Sequence, residues 1–577
     1  MKLKNNSKKM LGFAVLISKN REIFKDEFVW KSTFDFQAEH VLRKKIFSNI
    51  LIEQNTAKRF IAEKLWLEND DYFIVTEGVI TNLKILCKKY FVENYEQLIS
   101  KIHKKNDFFN EFTGNFAGYI FQKKENKHIL FNNHTATKKV FYFENENYCV
   151  FSTDLFTLSK KLDDLKIGKT LNIDAAYLLL TSGFMHENLT LIEEVKQVRA
   201  GEYFCLNNDK ISNTDFYFHL NNITENNDKK ADIIEKLDEK FKNSINLEFV
   251  QNSENNFTGL CTLSGGLDSR TVSLMAFQNN FKNVKYLCFT EKGYADEFIS
   301  KKIAKNYGLD FDLYYASPKG LTDIEDAVKV NDGLILYSGC EHVLDTLKNY
   351  RCENIGFVHT GISGEVPLGY FLSSKEPQKP TNKHAHFLFP KVKHIVEKSM
   401  SNYKTEEIYQ IYSHIYHGTD NGFLYFDLAG ECSSAFFEPD FISYAYSIPR
   451  ALRYKYNIYI DWLKTKHPDF TKFTWERGGG KPTNNQFLRF YNKVKRGSLM
   501  RLPIKTMWKY SMTPEQLWYD KNPEIKAYLD NYLEENIYRA EKYSELKTDL
   551  INLYKNGNIT EKTKVLTLLA ALKLLFE

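Results

Sequence analysis

What the sequence has little of already removes several classes of protein. Its eight cysteines (Cys87, Cys149, Cys205, Cys261, Cys288, Cys340, Cys352 and Cys432) include no pair at C-x-x-C spacing. That argues against a zinc knuckle or a redox dithiol and fits reduced thiols in a cytosol. No stretch approaches the roughly 20 apolar residues of a membrane span. The apolar run 12–18 meets Lys19, Asn20 and Arg21 too soon for a signal peptide. A cytoplasmic protein without a membrane partner is therefore expected. The formal charge of +6 over 577 residues is too weak to argue for nucleic acid. Proline and glycine are scarce, at 12 and 27.

What is present describes a globular chain: 43% hydrophobic and 26% charged residues. At roughly 100–200 residues per domain, the length predicts two to four domains. The first part reads as short aromatic-rich strands, among them 12–17, 72–76, 116–122, 128–131, 140–143 and 148–152. Helical stretches at 83–91 and 95–103 lie between them, so an α+β domain on antiparallel sheets is predicted over 1–218. The asparagine-rich segment 219–232 is the linker candidate. Beyond it Ile234, Leu237, Phe241 and Ile245 step by three and four, as on an amphipathic helix. Strands at 260–263, 284–290 and 311–315 then alternate with helices at 271–277 and 295–307. That alternation predicts an α/β domain with a parallel sheet over 233–577, helical towards its end. The apolar run 565–576 reads as a packing helix.

The sharpest signal is the strand ending at Leu263 that runs into Ser264-Gly265-Gly266-Leu267-Asp268-Ser269 and then a helix. Two glycines let backbone N–H groups turn towards a polyphosphate, and the Ser264 and Ser269 hydroxyls add donors. The helix behind them points its positive end at the anion. Asp268 would repel phosphate unless a divalent cation stood between them, so ATP with Mg2+ is the expected ligand pair. No Gly-Lys-Ser/Thr follows, so the loop suits cleavage between the α and β phosphates and not γ-phosphate transfer.

The loop resembles that of the asparagine synthetase family, which includes relatives such as β-lactam synthetases and lasso-peptide cyclases. Further landmarks occur in the same order over most of the chain. Thr360-Gly361-Ile362-Ser363-Gly364-Glu365 with Gly369 resembles the family's second strand-end motif. Phe436-Phe437-Glu438 resembles its P-F-L-D segment, and Ser447-Ile448-Pro449 the turn that follows. Arg477 and Lys481 fall where the family carries an arginine and a catalytic lysine. Gly114-Asn115-Phe116-Ala117 and residues near 137–142, 151–154 and 177–206 resemble strands of its glutaminase domain. The resemblance implies a glutaminase-like sheet sandwich followed by an ATP pyrophosphatase domain of the PP-loop type. Leu263, Ser264, Gly265, Gly266, Asp268, Ser269, Phe289, Thr360 and Gly361 would bind the nucleotide, and Asp268 with Glu365 the metal.

Departures from the family carry a second expectation. Its glutamine-hydrolysing members open with Met-Cys-Gly, whereas the matching run here is Met10-Leu11-Gly12. Leucine offers no nucleophile. The family's N-G-E segment is matched by Glu77-Gly78-Val79, and a carboxylate at Glu77 would repel a developing oxyanion. The first domain is therefore expected to keep its fold and lack glutaminase activity. Ile362 stands where asparagine synthetases carry a glutamate, so the acceptor side is expected to be rebuilt.

The expected reaction joins a small-molecule or peptide carboxylate to an amine through an acyl-adenylate. Asparagine synthesis from free ammonia and closure of a lactam or peptide ring remain open, as do a PP-loop tRNA-modifying enzyme and an inactive scaffold. A homodimer is compatible with the sequence. Asp296 and Glu297 read equally well as charges at a helix start. The basic run Lys493, Lys495, Arg496, Arg501, Lys505 and Lys509, interleaved with Tyr491, Trp508 and Tyr510, reads as a solvated helix face.

Overall fold

The computed structural model of the chain describes every residue except 1–6, 10, 21–26, 31, 35–38, 208–209, 352–353, 385–387, 502–506 and 509–510. Met10, Arg21, Cys352, Lys505, Lys509 and Tyr510 lie outside the described residues. The architecture is mixed: two antiparallel six-stranded sheets, a parallel five-stranded sheet, and many helices.

One antiparallel sheet runs, edge to edge, through Lys196–Gln197, Phe141–Glu144, Tyr148–Ser152, Gly12–Ser18, Ile50–Ala57 and His40–Phe47. The other runs through Lys210–Phe216, Glu202–Asn207, Lys127–Asn132, Gly114–Gln122, Tyr72–Ile80 and Trp66–Glu68. Phe13, Val15 and Ile17 from the first sheet meet Phe73, Val75 and Leu130 from the second in one dry layer. Ala14 and Leu16 face the other way and are equally buried, under the helices Leu155–Asp164 and Ile173–Ser182. With both faces covered, Gly12–Ser18 reads as an unbroken apolar run and not as an alternation. The helices Leu83–Tyr90 and Tyr95–Ile102 cover the far face of the second sheet.

The expected strands and helices recur within a few residues of their predicted bounds, and several strands are additions, among them Trp66–Glu68, Lys210–Phe216 and Glu431–Ser433. His40–Phe47 and Ile50–Ala57 were not predicted either. The first is an edge strand of mixed exposure, so its side chains lack a clean apolar pattern.

The parallel sheet has the order Phe311–Tyr315, Val284–Thr290, Thr258–Thr262, Ile355–His359, Glu431–Ser433. The helix Lys230–Glu254 buries Ile234, Leu237, Phe241 and Ile245 against this part of the molecule. The helices Leu267–Gln278 and Ala295–Tyr307 supply crossovers. The asparagine-rich stretch before Lys230 is tied down: the Asn226 N–H donates to the Ser447 carbonyl at 2.6 Å and Glu225 accepts from the Arg450 N–H at 3.0 Å. The closing helix Ile559–Phe576 starts on a capping box, Asn558 with Glu561. It buries Val565, Leu568 and Leu569, and reaches the N-terminal helices through Ser159, which donates to the Leu575 carbonyl at 2.6 Å.

Where the antiparallel sheets abut the parallel one, a buried ionic cluster forms. Lys64 reaches Glu431 at 2.7 Å and Glu77 at 3.6 Å, and Lys138 reaches Asp427 at 2.7 Å and Glu431 at 3.6 Å. The Arg59 guanidinium donates to the Ala429 carbonyl at 3.0 Å. Burial alone would lower the Lys138 ammonium, but Asp427, Glu431 and Glu77 hold it above its usual range. Three cations and three carboxylates balance, as buried charge requires.

Candidate active site

The central parallel strand delivers the phosphate-loop candidate to the carboxyl end of the sheet, where open α/β sheets hold ligands. The loop is internally tied. Ser264 and Ser269 hydroxyls stand 2.8 Å apart, the Ser264 N–H donates to Ser269 Oγ at 3.0 Å, and the Gly266 N–H donates to Ser264 Oγ at 3.1 Å. Gly266 caps the helix Leu267–Gln278, so that helix begins four residues earlier than the apolar spacing predicted. Arg270 is fully buried beneath the loop and donates to the Gly265, Thr474 and Phe470 carbonyls at 2.9, 2.6 and 3.1 Å. It serves as a clamp on the backbone. Burial lowers its guanidinium to about 10.

Asp268 lies in the first turn of that helix. Its Oδ1 accepts from the Tyr459 hydroxyl at 2.9 Å and its Oδ2 from the Glu365 N–H at 3.0 Å. The second strand-end motif is thereby locked onto the first. Its glycines are required by space: a Cβ at Gly361 would stand 2.2 Å from the Ser269 nitrogen, and one at Gly364 2.6 Å from the Phe436 ring. Ser363 between them adopts a left-handed φ of 55°. Burial, and then the nearby Glu365 carboxylate, raise the Asp268 carboxyl well above its ordinary value. Glu365 is raised too, by burial first, although Arg477 pulls it down. Arg477 forms an ion pair with Glu365, and its guanidinium lies 4.6 Å over the Tyr370 ring.

A cavity of 740 Å³ opens in front of these residues. Leu263, Ser264, Gly266, Asp268, Ser269, Thr360 and Gly361 line one end of it, and Leu287, Cys288 and Phe289 form an apolar shelf beside them. Gly265 stands behind the wall. Its N–H is taken by Asp296 Oδ1 at 2.8 Å, which leaves it no donor for a ligand in this arrangement. Glu365 and Arg477 sit beyond the lining, joined to it through Asp268 and Tyr370. Lys481 is exposed and does not line the cavity. The sequence thus assembles most of one site, with its lysine outside.

Several participants carry no sequence signal of their own. Tyr459 and Arg270 come from apolar-rich helices, and Tyr370 from the turn after Gly369. The far wall is built by Ser182, Gly183 and Phe184, from the end of an N-terminal helix. They are fixed there by a bridge between Phe184 and Ile335 and by the Leu336 N–H donating to the Gly183 carbonyl at 2.8 Å. Asp296, read equally as a helix-start charge, is a buried partner of the loop. Burial lifts its carboxyl to about 7. Glu297 does behave as such a charge, accepting from the Gly293 N–H at 2.7 Å and pairing with Lys301 at 2.7 Å. Glu438 caps the helix Pro439–Ser447 by accepting from the Asp440 N–H at 2.8 Å.

In the sandwich, Glu77 is buried and accepts from Gln54 Nε2 at 3.0 Å while facing Lys64. Val79 is buried against Phe60 and Phe357. Leu11 immediately precedes the strand Gly12–Ser18, in which the Phe13 N–H donates to Thr153 Oγ1 at 3.0 Å. The seven described cysteines are buried. The basic run falls partly on the helix Gln486–Arg501, where Arg496 donates to Glu476 at 2.9 Å and Tyr491 is exposed. Among the described residues no helix is long and apolar enough to cross a membrane.

A parallel sheet with a strand-end loop opening on a cavity places this part of the chain among α/β architectures. No family profile matches the chain. The chain is distantly similar to a Methanocaldococcus jannaschii protein named "Putative asparagine synthetase (glutamine-hydrolyzing) 2", at 26% identity over 213 residues. The match covers 36% of this chain and 40% of that protein, so it spans less than half of the relative's length. Among solved structures, the glutamine phosphoribosylpyrophosphate amidotransferase of B. subtilis complexed with ADP and GMP aligns over 55% of this chain and 86% of its own. Its identity is 8% and its TM-score 0.24. An allosteric regulatory enzyme of purine biosynthesis aligns at 7% identity and a TM-score of 0.23, over 54% and 76%. Scores this low carry no argument about fold or activity.

Proposed function

We propose that the chain is an ATP-dependent, amide-forming ligase of the asparagine synthetase type, with a PP-loop that releases pyrophosphate. The single observation that carries this is the Ser264–Ser269 turn, which faces the cavity with Asp268 at its base and a helix start behind it. The distant asparagine synthetase relative supports the same class.

ATP would lie with its β and γ phosphates against Ser264, Gly266 and Ser269, where hydroxyls and helix-start N–H groups offer donors. Leu287, Cys288 and Phe289 would face adenine. Asp268 and Glu365 fit a divalent cation, because two carboxyls raised by burial are brought to one edge of the site. Among the described residues no third His, Cys, Asp or Glu joins them, so phosphate oxygens and water would complete a magnesium shell. When bound, that cation would draw charge from the departing pyrophosphate. The substrate carboxylate oxygen attacks the α phosphorus, and the bond to the bridging oxygen of pyrophosphate breaks. An amine nitrogen then bonds to the acyl carbon, AMP leaves, and the nitrogen gives up a proton. Arg477 and Lys481 are assigned to phosphate charge, with Arg477 at the rim and Lys481 further out.

The sandwich is assigned no glutaminase activity, since Leu11 has no nucleophile and Glu77 is engaged with Gln54 and Lys64. Pyrophosphate exchange into ATP over a panel of carboxylates tests the ligase. A carboxylate-dependent signal that Asp268→Ala abolishes is expected; exchange unchanged in that variant removes the proposal. Ammonia released from glutamine by the purified chain would overturn the second assignment.

A further inference from the structure

The end of the cavity away from the phosphate loop has a chemistry of its own. It is walled by Phe184, Ile335 and Leu336 on one side and by Phe371, His414 and Ile415 on the other. Phe184 is the hub. Its ring stacks on His186 at 5.4 Å and 14°, and meets His414 edge-on at 5.1 Å. Gly418 lies against it, so that a Cβ there would stand 3.4 Å from the ring. The wall is stiff, because residues 183–185 are hydrogen-bonded to 334–336 on both sides of the Phe184 bridge.

No lysine or arginine lines any part of the cavity among the described residues, and Asp268 is its one carboxylate. Three cations that bond to residues next to the lining or near it have partners of their own. Lys139 donates to the Tyr416 carbonyl at 3.0 Å and Lys564 to the Thr181 carbonyl at 2.6 Å, while Arg477 is paired with Glu365. His186 is kept neutral by burial, which lowers it to about 3. A second carboxylate or an ammonium placed at this end would be desolvated with no lysine, arginine or further carboxylate of the lining to pair with it. An aryl or branched alkyl chain would instead meet apolar and aromatic walls.

We infer that this end seats the acyl chain of the substrate, and that the substrate class is a monocarboxylate with an uncharged aromatic or aliphatic chain, not an aspartate-like dicarboxylate. The assignment rests on the adenylating ligase proposed above. Phe184 is the specificity-determining residue, contributed by the N-terminal helix Ile173–Ser182 and the turn after it. The N-terminal part of the chain then serves the reaction as a wall of the acyl site.

The test is pyrophosphate exchange by the full chain with hydrocinnamate and octanoate against succinate and aspartate. Hydrocinnamate or octanoate is expected to exceed the dicarboxylates by roughly a hundredfold or more, the scale of discrimination against an unpaired buried polar group. Phe184→Arg is expected to weaken hydrocinnamate at least about tenfold and to raise succinate, by supplying the missing counter-charge. Exchange driven equally or better by succinate or aspartate in the native chain would overturn the acyl assignment while leaving the ligase standing. If no carboxylate drives exchange, binding of hydrocinnamate to the nucleotide-free chain, followed by saturation-transfer NMR, separates the two. Binding lost in Phe184→Arg would keep the apolar site and remove the ligase. Absence of binding would overturn the site itself.

Discussion

The parallel sheet and the antiparallel sandwich meet along one ion-pair cluster, yet the strand ends on either side of it differ in what fills them. At Ser264–Ser269 the polar groups bond mostly to one another and face a 740 Å³ cavity. At Glu77–Val79 the polar group is consumed by Gln54 and Lys64, and the apolar one by Phe60 and Phe357. Both ends carry a carboxylate and a glycine. What separates them is whether the carboxylate already owns a cation. Asp268 has only hydroxyl and amide donors and is pushed up by burial and by Glu365, whereas Glu77 belongs to a neutral cluster. A buried acid without a cation beside a cavity marks a candidate ligand site; a buried acid inside a balanced cluster marks architecture.

The largest expected effect breaks that comparison at the cavity. Asp268→Asn keeps one acceptor oxygen, for Tyr459, and loses both the charge and the acceptor of the Glu365 N–H; it should reduce pyrophosphate exchange on the order of 10³-fold or more. Near-UV circular dichroism should stay native. Glu77→Gln in the sandwich should leave exchange within about twofold, because it touches nothing in the cavity. Equal losses in both variants would erase the distinction. Next in size is the cluster itself. Lys64→Met leaves Glu431 and Glu77 short of a cation and should cost about 3–5 kcal/mol by urea denaturation. Adding Glu431→Leu should return part of that loss, because the uncompensated charge is gone.

A smaller effect concerns pH. Burial lifts the Asp296 carboxyl from 3.8 to about 7; the Glu476 charge adds to the lift, while the Gly265 N–H and Arg270 oppose it. Between those values the folded chain holds a proton that the unfolded chain has released. Its contribution to stability is therefore full below the unfolded value, falls as pH rises, and levels off above about 7. Asp296→Asn keeps an acceptor for the Gly265 N–H and removes the titration. The drop in urea midpoint between about pH 5 and about pH 8 should shrink in the variant. An unchanged drop would mean that Asp296 is ionised in the folded state.

Legibility follows how local the determining contacts are. The phosphate loop could be read because strand, glycines, acid and helix start lie within a dozen residues and each has its own chemical reason. The helix Lys230–Glu254 and the paired helices after Tyr72–Ile80 could be read from spacing alone. Phe184 could not, since an aromatic residue after a helix says nothing about a wall formed with Leu336, some 150 residues later. Arg270 carries no sequence signal, since its role depends on carbonyls of the distant segment 470–474 converging with that of Gly265 on its guanidinium. Lys481 is a different case: the resemblance places it as a catalytic lysine, and its side chain is exposed outside the cavity.

The smallest expected effect is a change that produces nothing. Removing residues 1–10 and making Leu11→Cys would create an N-terminal cysteine at the position that the family resemblance gives to the nucleophile. A thiol alone would supply the nucleophile, so if the missing residue were the whole defect, glutaminase activity should return. The geometry argues otherwise. Glu77 would hold a negative charge beside the developing oxyanion, and its bonds to Gln54 and Lys64 fix it there. Val79 is buried in a cluster with Phe60 and Phe357 and offers no polar group to an amine. Ammonia release from glutamine should therefore stay at the level of the unmodified chain, with iodoacetamide labelling used to show that the new thiol is reactive. Measurable hydrolysis would mean that the sandwich had lost one residue and not a site, and the contrast between a filled strand end and an open one would fail at its filled end.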